Sequence, residues 1–336
     1  MGVLLITLAP PSFASRSRIR PAAGRYLVLA YGDARRLLQC ISAGQSGDIE
    51  IARVIVPPED DPDQLSEVLS PESLRRDRVG GVIVVAGAGR RIPARLLLQC
   101  RLEGFRVLDE VSLLEQEGYR IDVDAHDPGW LLSGIGFRLS RVAEIERRVF
   151  DLMMASLLLI LTLPLTLLVT ILIKIDSRGS ALYRQERVGI RGRVFTLYKF
   201  RSMHKDAEAD GSPTWAAVGD PRVTRVGRFI RYKRIDELPQ LLNVLRGEMS
   251  IIGPRPERPY FVEKLAAAIP LYHTRHYVKP GITGWAQVNA SYGASTEDAR
   301  EKLSYDLYYI KHRGFLLDLL ILLRTLRVVV LGEGAR

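Results

Sequence analysis

At 336 residues the chain has room for two domains, and its formal net charge of +10 calls for an anionic partner. It has only two cysteines, Cys40 and Cys100, without metal-type or redox spacing. That excludes a disulfide framework and fits buried apolar thiols in a reducing compartment.

Met1 to Ala14 is mostly apolar, but Pro10 and Pro11 interrupt it and a basic leading region is missing, which argues against a signal peptide. Residues 1–24 are expected to be a disordered leader. From 25 to 126 short apolar runs alternate with helical ones. Tyr26 to Tyr31, Ile49 to Val56, Gly81 to Val85 and Phe105 to Leu108 read as strands. Helices are expected through Arg35, Leu38 and Ile41 and through Leu96 to Leu102. Strand and helix at this spacing predict a small parallel α/β domain. Gly32-Asp33-Ala34 and Gly87-Ala88-Gly89 follow strands, yet neither completes a dinucleotide fingerprint, so they read as turns. A regulatory or scaffolding module is expected.

Asp127-Pro-Gly129 opens a linker over 127–146. Beyond it lie 22 uncharged residues, Leu152 to Ile173, with Pro164 near the middle. At about 1.5 Å per residue such a helix reaches roughly 33 Å, enough for a hydrocarbon core of about 30 Å. Arg147 and Arg148 precede the run and Lys174 and Arg178 follow it, so both ends favour the cytoplasmic side. Proline removes a donor and clashes with the preceding turn. A helix over 149–174 that enters the bilayer, breaks at Pro164 and leaves by the same face is expected; a straight span is the alternative. So long an apolar run makes acidic lipid and phosphate-bearing small molecules better partners than nucleic acid.

From Lys174 to Arg258 the chain is basic and rich in turn residues, the composition of functional loops. Within Arg231-Tyr-Lys-Arg-Ile-Asp236-Glu237-Leu-Pro239 two adjacent carboxylates sit among cations. Their repulsion raises one pKa while the cations lower both, leaving at least one ionised. One carboxylate is then suited to attack phosphorus and its neighbour to bind Mg²⁺. The same residues also suit the first turn of a helix. Lys199 and Arg201, two apart in an extended segment, share a face that can clamp phosphate. In Gly253-Pro-Arg255-Pro-Glu257 two prolines stiffen the backbone around a guanidinium that matches phosphate or carboxylate. In Lys279-Pro-Gly-Ile-Thr-Gly-Trp285-Ala-Gln287-Val-Asn289, Trp285 or Gln287 can touch a base or sugar, or Trp285 can anchor the core. The five histidines lack metal spacing. Phe315 to Leu331 is apolar except for Asp318, Arg324 and Arg327, and suits either the membrane interface or internal packing.

These blocks, together with Tyr183-Arg-Gln-Glu-Arg-Val-Gly189, Lys199-Phe-Arg-Ser-Met203, Asp220-Pro-Arg-Val-Thr-Arg-Val-Gly227 and Tyr305-Asp-Leu-Tyr-Tyr309, closely resemble the bacterial sugar transferases, the monotopic phosphoglycosyl transferases of exopolysaccharide and glycan assembly. The resemblance covers Arg148 to Arg336. It implies an α-rich catalytic domain over 147–336 with a re-entrant membrane helix, and transfer of a sugar phosphate from a UDP-sugar to undecaprenyl phosphate. It makes Asp236 the nucleophile and Glu237 a Mg²⁺ ligand. Arg231 is implied for the lipid phosphate and Arg255 for the nucleotide, while Lys199, Arg201, Gln287 and Asp306 match substrate-site positions. The cytoplasmic face of the bacterial inner membrane and a homodimer are further implications.

Residues 25–126 resemble the Rossmann-like domain that precedes the catalytic part in long-form members. Those members usually begin with about four membrane helices, and no such runs occur before Leu152. A membrane-anchored ligand sensor without catalysis is the alternative; it would not need paired acids beside an arginine-rich loop.

Overall fold

The computed structural model describes residues 24–42, 49–57, 62–86, 92–121, 123, 140–204, 220–290, 293 and 295–331. The chain divides into two units, Met1–Ala125 and His126–Arg336. The expected leader, Gly87-Ala88-Gly89 and most of the linker lie outside the described residues.

In the first unit, β1 (Gly24–Ala30), β2 (Ile49–Ile55), β3 (Val79–Val85) and β4 (Arg106–Asp109) form one parallel sheet in the order β2-β1-β3-β4. The four expected strands are all present. Side chains alternate across a strand, so continuous apolar runs such as those of β1 and β3 are read as buried on both faces. One face packs Leu27, Leu29, Val82 and Val84 against Leu65, Leu74, Leu97 and Cys100. The other packs Tyr26, Val28, Ile83 and Val85 against Leu37 and Leu113.

Helices cover both faces: α1 (Arg35–Ser42), α2 (Pro62–Val68), α3 (Pro71–Arg76), α4 (Ala94–Leu102) and α5 (Glu110–Gly118). Ser70 caps α3 through Ser73 N and Asp109 caps α5 through Ser112 N. After β1, Asp33 accepts from Arg35 N at 3.0 Å and binds its guanidinium, so Gly32-Asp33-Ala34 is an ordinary turn. Cys100 is buried and unoxidised, with Sγ 3.4 Å from Leu69 O.

In the second unit, α6 (Arg141–Asp176) is a single 36-residue helix that runs through Pro164 without interruption. It begins inside the expected linker, because no breaker separates Arg141 from the apolar run. The expected break at Pro164 is absent from the helix, and on either side of the proline Thr162, Thr166 and Thr170 donate their hydroxyls to the carbonyls of Leu158, Leu163 and Thr166.

Both ends of α6 are fastened to the body of this unit. At its start, Arg148 donates to Val244 O and Leu245 O at 2.6 and 2.7 Å. Asp151 accepts from Ser250 Oγ and Ile251 N, both at 2.9 Å. At its end, Val169 and Ile173 pack with Ala181, Phe200 and Ile230. Asp176 accepts from Val226 N, and Arg201 donates to Ser177 O at 2.7 Å and Arg178 O at 3.1 Å. Between Ala155 and Val169 no residue of α6 is buried. Only 11% of its most apolar 18 residues is buried, unlike the core helix of a globular protein.

The rest of the unit positions the site. β5 (Leu182–Val188) and β6 (Val194–Phe200) make an antiparallel hairpin. Next come α7 (Arg225–Tyr232), a 3-10 turn at Ile235–Gln240, α8 (Leu241–Arg246) and β7 (Ser250–Ile252). α9 (Pro259–Ala268) leads to a second 3-10 turn, Tyr272–Tyr277, and to β8 (Gly281–Thr283), parallel to β7. α10 (Trp285–Asn289), α11 (Thr296–His312) and α12 (Phe315–Leu331) complete it. Ser295 and Asp298 form a reciprocal capping box at the start of α11.

Candidate active site

Arg234 stops α7. Its φ of 52° and ψ of 21° are left-handed, an unfavourable conformation for a non-glycine residue. Such strain persists where the surroundings over-determine it, commonly at a functional site. Here it turns the chain sharply into the Ile235–Gln240 segment, whose next two residues are Asp236 and Glu237. Both carboxylates are buried, at 9% and 6% exposure. The two acids also stand where a helix N-terminal turn is expected: they occupy the first turn of a 3-10 helix, with Pro239 inside it, that runs directly into α8.

Three cations converge on Glu237. Arg255 Nη2 donates to Oε1 at 2.8 Å, Lys199 Nζ lies 3.6 Å from the same oxygen, and Arg234 Nη1 lies 3.9 Å from Oε2. Burial alone would raise the Glu237 pKa, but Arg255, Lys199 and Arg234 outweigh it and hold the carboxyl below the usual range. Asp236 differs. Among the described residues no ion pair reaches it, and burial, reinforced by the Glu237 charge, pushes it up to about 6. Two adjacent acids are thus driven apart, the pattern that separates roles at a catalytic pair. Burial lowers Lys199 to about 8, with the Glu237 charge opposing that shift.

Arg255 is held from several sides. Its Nη1 donates to Gln287 Oε1 at 3.1 Å, which leaves Gln287 Nε2 buried without a partner among the described residues. Its carbonyl accepts from Arg275 Nη2 at 2.9 Å. Arg275 in turn donates to Tyr272 Oη at 2.7 Å and pairs with Asp306 at 2.8 Å, all three deeply buried. Arg187 donates to Pro256 O at 3.0 Å from the hairpin side. The loop carrying Arg255 and the β8 segment that leads into α10, the helix bearing Gln287, lie backbone against backbone: a Cβ on Gly284 would stand 2.1 Å from Gly253 O, and one on Gly281 2.0 Å from Gly253 N. Only glycine permits that approach.

Asp236, Glu237, Lys199, Arg255 and Gln287 are therefore brought together. Arg231, at the end of α7, is half-buried and close enough to lower the Asp236 pKa. Asp306 reaches the cluster only through Arg275. Arg201 does not join Lys199, because its guanidinium fastens the end of α6 at Ser177. Trp285 is 1% exposed, stacked on Tyr308 with Arg324 over its ring, and is a core anchor rather than a base or sugar contact. Sequence reasoning missed Arg275, which no motif or periodicity marks, and did not single out Arg187, although it lies within the block Tyr183-Arg-Gln-Glu-Arg-Val-Gly189.

Among the described residues no group of three His, Cys, Asp or Glu side chains is arranged to hold a metal ion. A Mg²⁺ that draws most of its ligands from phosphate and water needs only one or two carboxylates. Glu237 Oε2, whose only ion pair among the described residues is the 3.9 Å approach of Arg234, fits that lesser demand.

A family model described as bacterial sugar transferase matches residues 142–332. The chain belongs to this family. Among relatives of this bacterial sugar transferase, a UDP-N-acetylgalactosamine-undecaprenyl-phosphate N-acetylgalactosaminephosphotransferase of Aeromonas hydrophila is 43% identical over 242 residues, 72% of this chain and 56% of the relative. An undecaprenyl-phosphate glucose phosphotransferase of Komagataeibacter xylinus is 44% identical over 202 residues, 59% of this chain and 38% of the relative. A UDP-glucose:undecaprenyl-phosphate glucose-1-phosphate transferase of Caulobacter vibrioides is 44% identical over 204 residues, 60% and 76% of the two chains. The chain spans about half the length of the first of these and less of the second.

Proposed function

We propose that this protein transfers a sugar 1-phosphate from a UDP-sugar to undecaprenyl phosphate by way of an aspartyl-phosphosugar, starting a glycan chain. The observation that carries this reading is the division between the two acids. Glu237 is neutralised by three cations, whereas Asp236 is buried without an ion pair among the described residues and stays available to attack. The names of the relatives support the acceptor and the sugar phosphate.

The donor diphosphate enters a cluster already rich in positive charge. Arg255, held by Gln287 and Arg275, presents a fixed guanidinium to it. An Asp236 oxygen attacks the β-phosphorus, the bond to the bridging oxygen breaks, and UMP leaves with that oxygen and its electron pair. Lys199 and Arg231 offset the charge that accumulates on the phosphoryl oxygens. The phosphate oxygen of the acceptor then attacks the same phosphorus from the membrane side. The acyl phosphate bond breaks, Asp236 returns as carboxylate, and the lipid diphosphate sugar departs. When bound, Mg²⁺ would neutralise donor charge and improve the leaving group, with Glu237 as its protein ligand.

We further propose that α6 dips into the cytoplasmic face of the inner membrane and returns. Both of its ends are fastened to one body, through Arg148 and Asp151 at one end and Asp176 and Arg201 at the other, while its middle stands clear. Pro164 lies in that clear stretch.

The test combines the purified chain, Mg²⁺, undecaprenyl phosphate and a panel of UDP-glucose, UDP-galactose and their N-acetylated forms, and follows UMP. Release with one or more donors is expected, together with its loss in Asp236→Asn. No release from any donor, or undiminished release by Asp236→Asn, would overturn the assignment.

A further inference from the structure

Where α6 leaves the body, a cleft opens between its first turns, β7 and the segment before β8. Arg147, Arg148, Lys279 and Arg313 line it, against the carboxylates Glu144 and Asp151. Asp236, Glu237 and Arg255 do not line it.

Most of these charges are committed. Arg147 pairs with Asp318 behind the cleft, and Arg313 pairs with Glu144. Arg148 spends its donors on the carbonyls that end α8, and Asp151 holds Ser250 and Ile251. Lys279 is the exception: among the described residues no hydrogen bond or ion pair reaches its ammonium. It is half-buried, and burial together with the nearby Arg148 lowers its pKa, although the Asp151 and Glu144 charges oppose the shift. A partly desolvated cation facing a second cation is a costly arrangement that a bound anion would relieve.

We infer that this cleft binds the phosphodiester headgroup of an anionic phospholipid, with Lys279 as its principal contact and Arg148 beside it. The position selects a lipid over a soluble anion. Asp151 directly precedes the apolar run, and Val149, Leu152 and Met153 are exposed on the same turns, so acyl chains would have apolar surface next to the headgroup. This choice of source rests on the proposal that α6 enters the membrane; the excess of cations in the cleft does not.

The site also communicates with the catalytic loop. Pro280 O accepts from Ser250 N at 2.8 Å, and Gly281 N donates to Pro254 O at 2.9 Å, one residue before Arg255. A headgroup that steadies Lys279 steadies the turn behind Arg255.

The experiment titrates the full chain in neutral detergent with phosphatidylglycerol, phosphatidylcholine or inorganic phosphate and counts bound molecules by native mass spectrometry. One phosphatidylglycerol should bind saturably, and Lys279→Gln should weaken it about tenfold or more, the worth of a charge-assisted hydrogen bond. Lys279→Arg should keep binding, which separates lost charge from lost folding. Asp236→Asn should bind like the parent, whether or not the chain proves to be a transferase. Equal binding by Lys279→Gln, equal binding of phosphatidylcholine or inorganic phosphate, or loss of binding in Asp236→Asn would overturn the inference.

Discussion

Arg255 Nη2 donates to Glu237 Oε1 at 2.8 Å, and this contact decides which member of the acid pair stays charged. Burial raises the adjoining Asp236, and the charge of Glu237, held as carboxylate, adds to that and pushes it up to about 6. The attacking group must be ionised, so the rate of UMP release falls as the pH drops through about 6. On the alkaline side Lys199, near 8, loses its charge and with it one of the cations that offset the diphosphate. A bell-shaped profile of kcat/KM between these limits is expected. A flat profile from pH 5 to 9 would contradict both assignments.

The same shift makes Asp236 a burden on the fold. Its folded pKa of about 6 lies above the ordinary aspartate value of 3.8, so protonation favours the native state between these values. Its favourable contribution is full below about pH 4 and is lost as the pH rises through 6. Asp236→Asn should therefore be more stable than the parent at pH 8, by about 1–3 kcal/mol. The difference should vanish near pH 4. Thermal unfolding in detergent at the two pH values measures it. An inactive variant that is also more stable is the usual trade at a strained site.

Asp236, Glu237, Arg255 and Gln287 stood out in short turn-rich blocks that also carry the family resemblance, and the structure brings them together, although the acid pair alone suited a helix first turn equally well. The α/β unit was legible in its strands, since each is a local apolar run bounded by turn residues. What could not be read was long-range. Lys199 and Arg201 differ by two positions, yet one turns to Glu237 and the other to the end of α6, because the strand finishes at Phe200 between them. Arg275 sits in Tyr-His-Thr-Arg-His, a stretch without periodicity, and its partners Arg255 and Asp306 are 20 and 31 positions away.

Arg275 therefore merits its own test. Arg275→Gln removes the donor to Arg255 O and leaves Asp306 buried without its cation. Breaking a buried pair from one side costs about 3–5 kcal/mol. The variant should unfold well below the parent, and what remains folded should release UMP more slowly because Arg255 has lost its backbone support. Unchanged thermal unfolding would show that the pair is solvated.

Gly284 gives a local test of the contact between the two loops. A Cβ there would stand 2.1 Å from Gly253 O, which is backbone and cannot swing aside. Gly284→Ala must push the start of α10, and Gln287 with it, away from the loop carrying Arg255, at an overpacking cost of about 1–3 kcal/mol. Membrane association should persist, because α6 is fastened elsewhere. UMP release should drop more steeply than stability. If activity and stability fall in proportion, the loop contact has no special part in the site.

The course of α6 is decided by which face its ends occupy. Glu146 and Arg178 are exposed and flank the apolar run, and Arg178 meets Arg201 only through its backbone carbonyl, so cysteines at these positions report the two ends without removing a side chain that fastens either one. In intact cells lacking the native Cys40 and Cys100, a membrane-impermeant maleimide should leave both positions unlabelled, and opening the inner membrane should expose both. Labelling of one position alone from outside would mean a straight span, as the continuous 36-residue helix, about 54 Å long if unbent, would allow. That result would place the bodies fastened at Asp151 and Asp176 on opposite sides of a bilayer. The contacts of Val169 and Ile173 with Phe200 and Ile230 oppose it, since Tyr198, two residues before Phe200, donates its N–H to Asn243 at 3.1 Å beside the α8 carbonyls that hold Arg148. Pro164→Leu restores the backbone donor missing from this continuous helix and should leave both labels in place; exposure of one label to the outside in this variant would show that the proline sets the return.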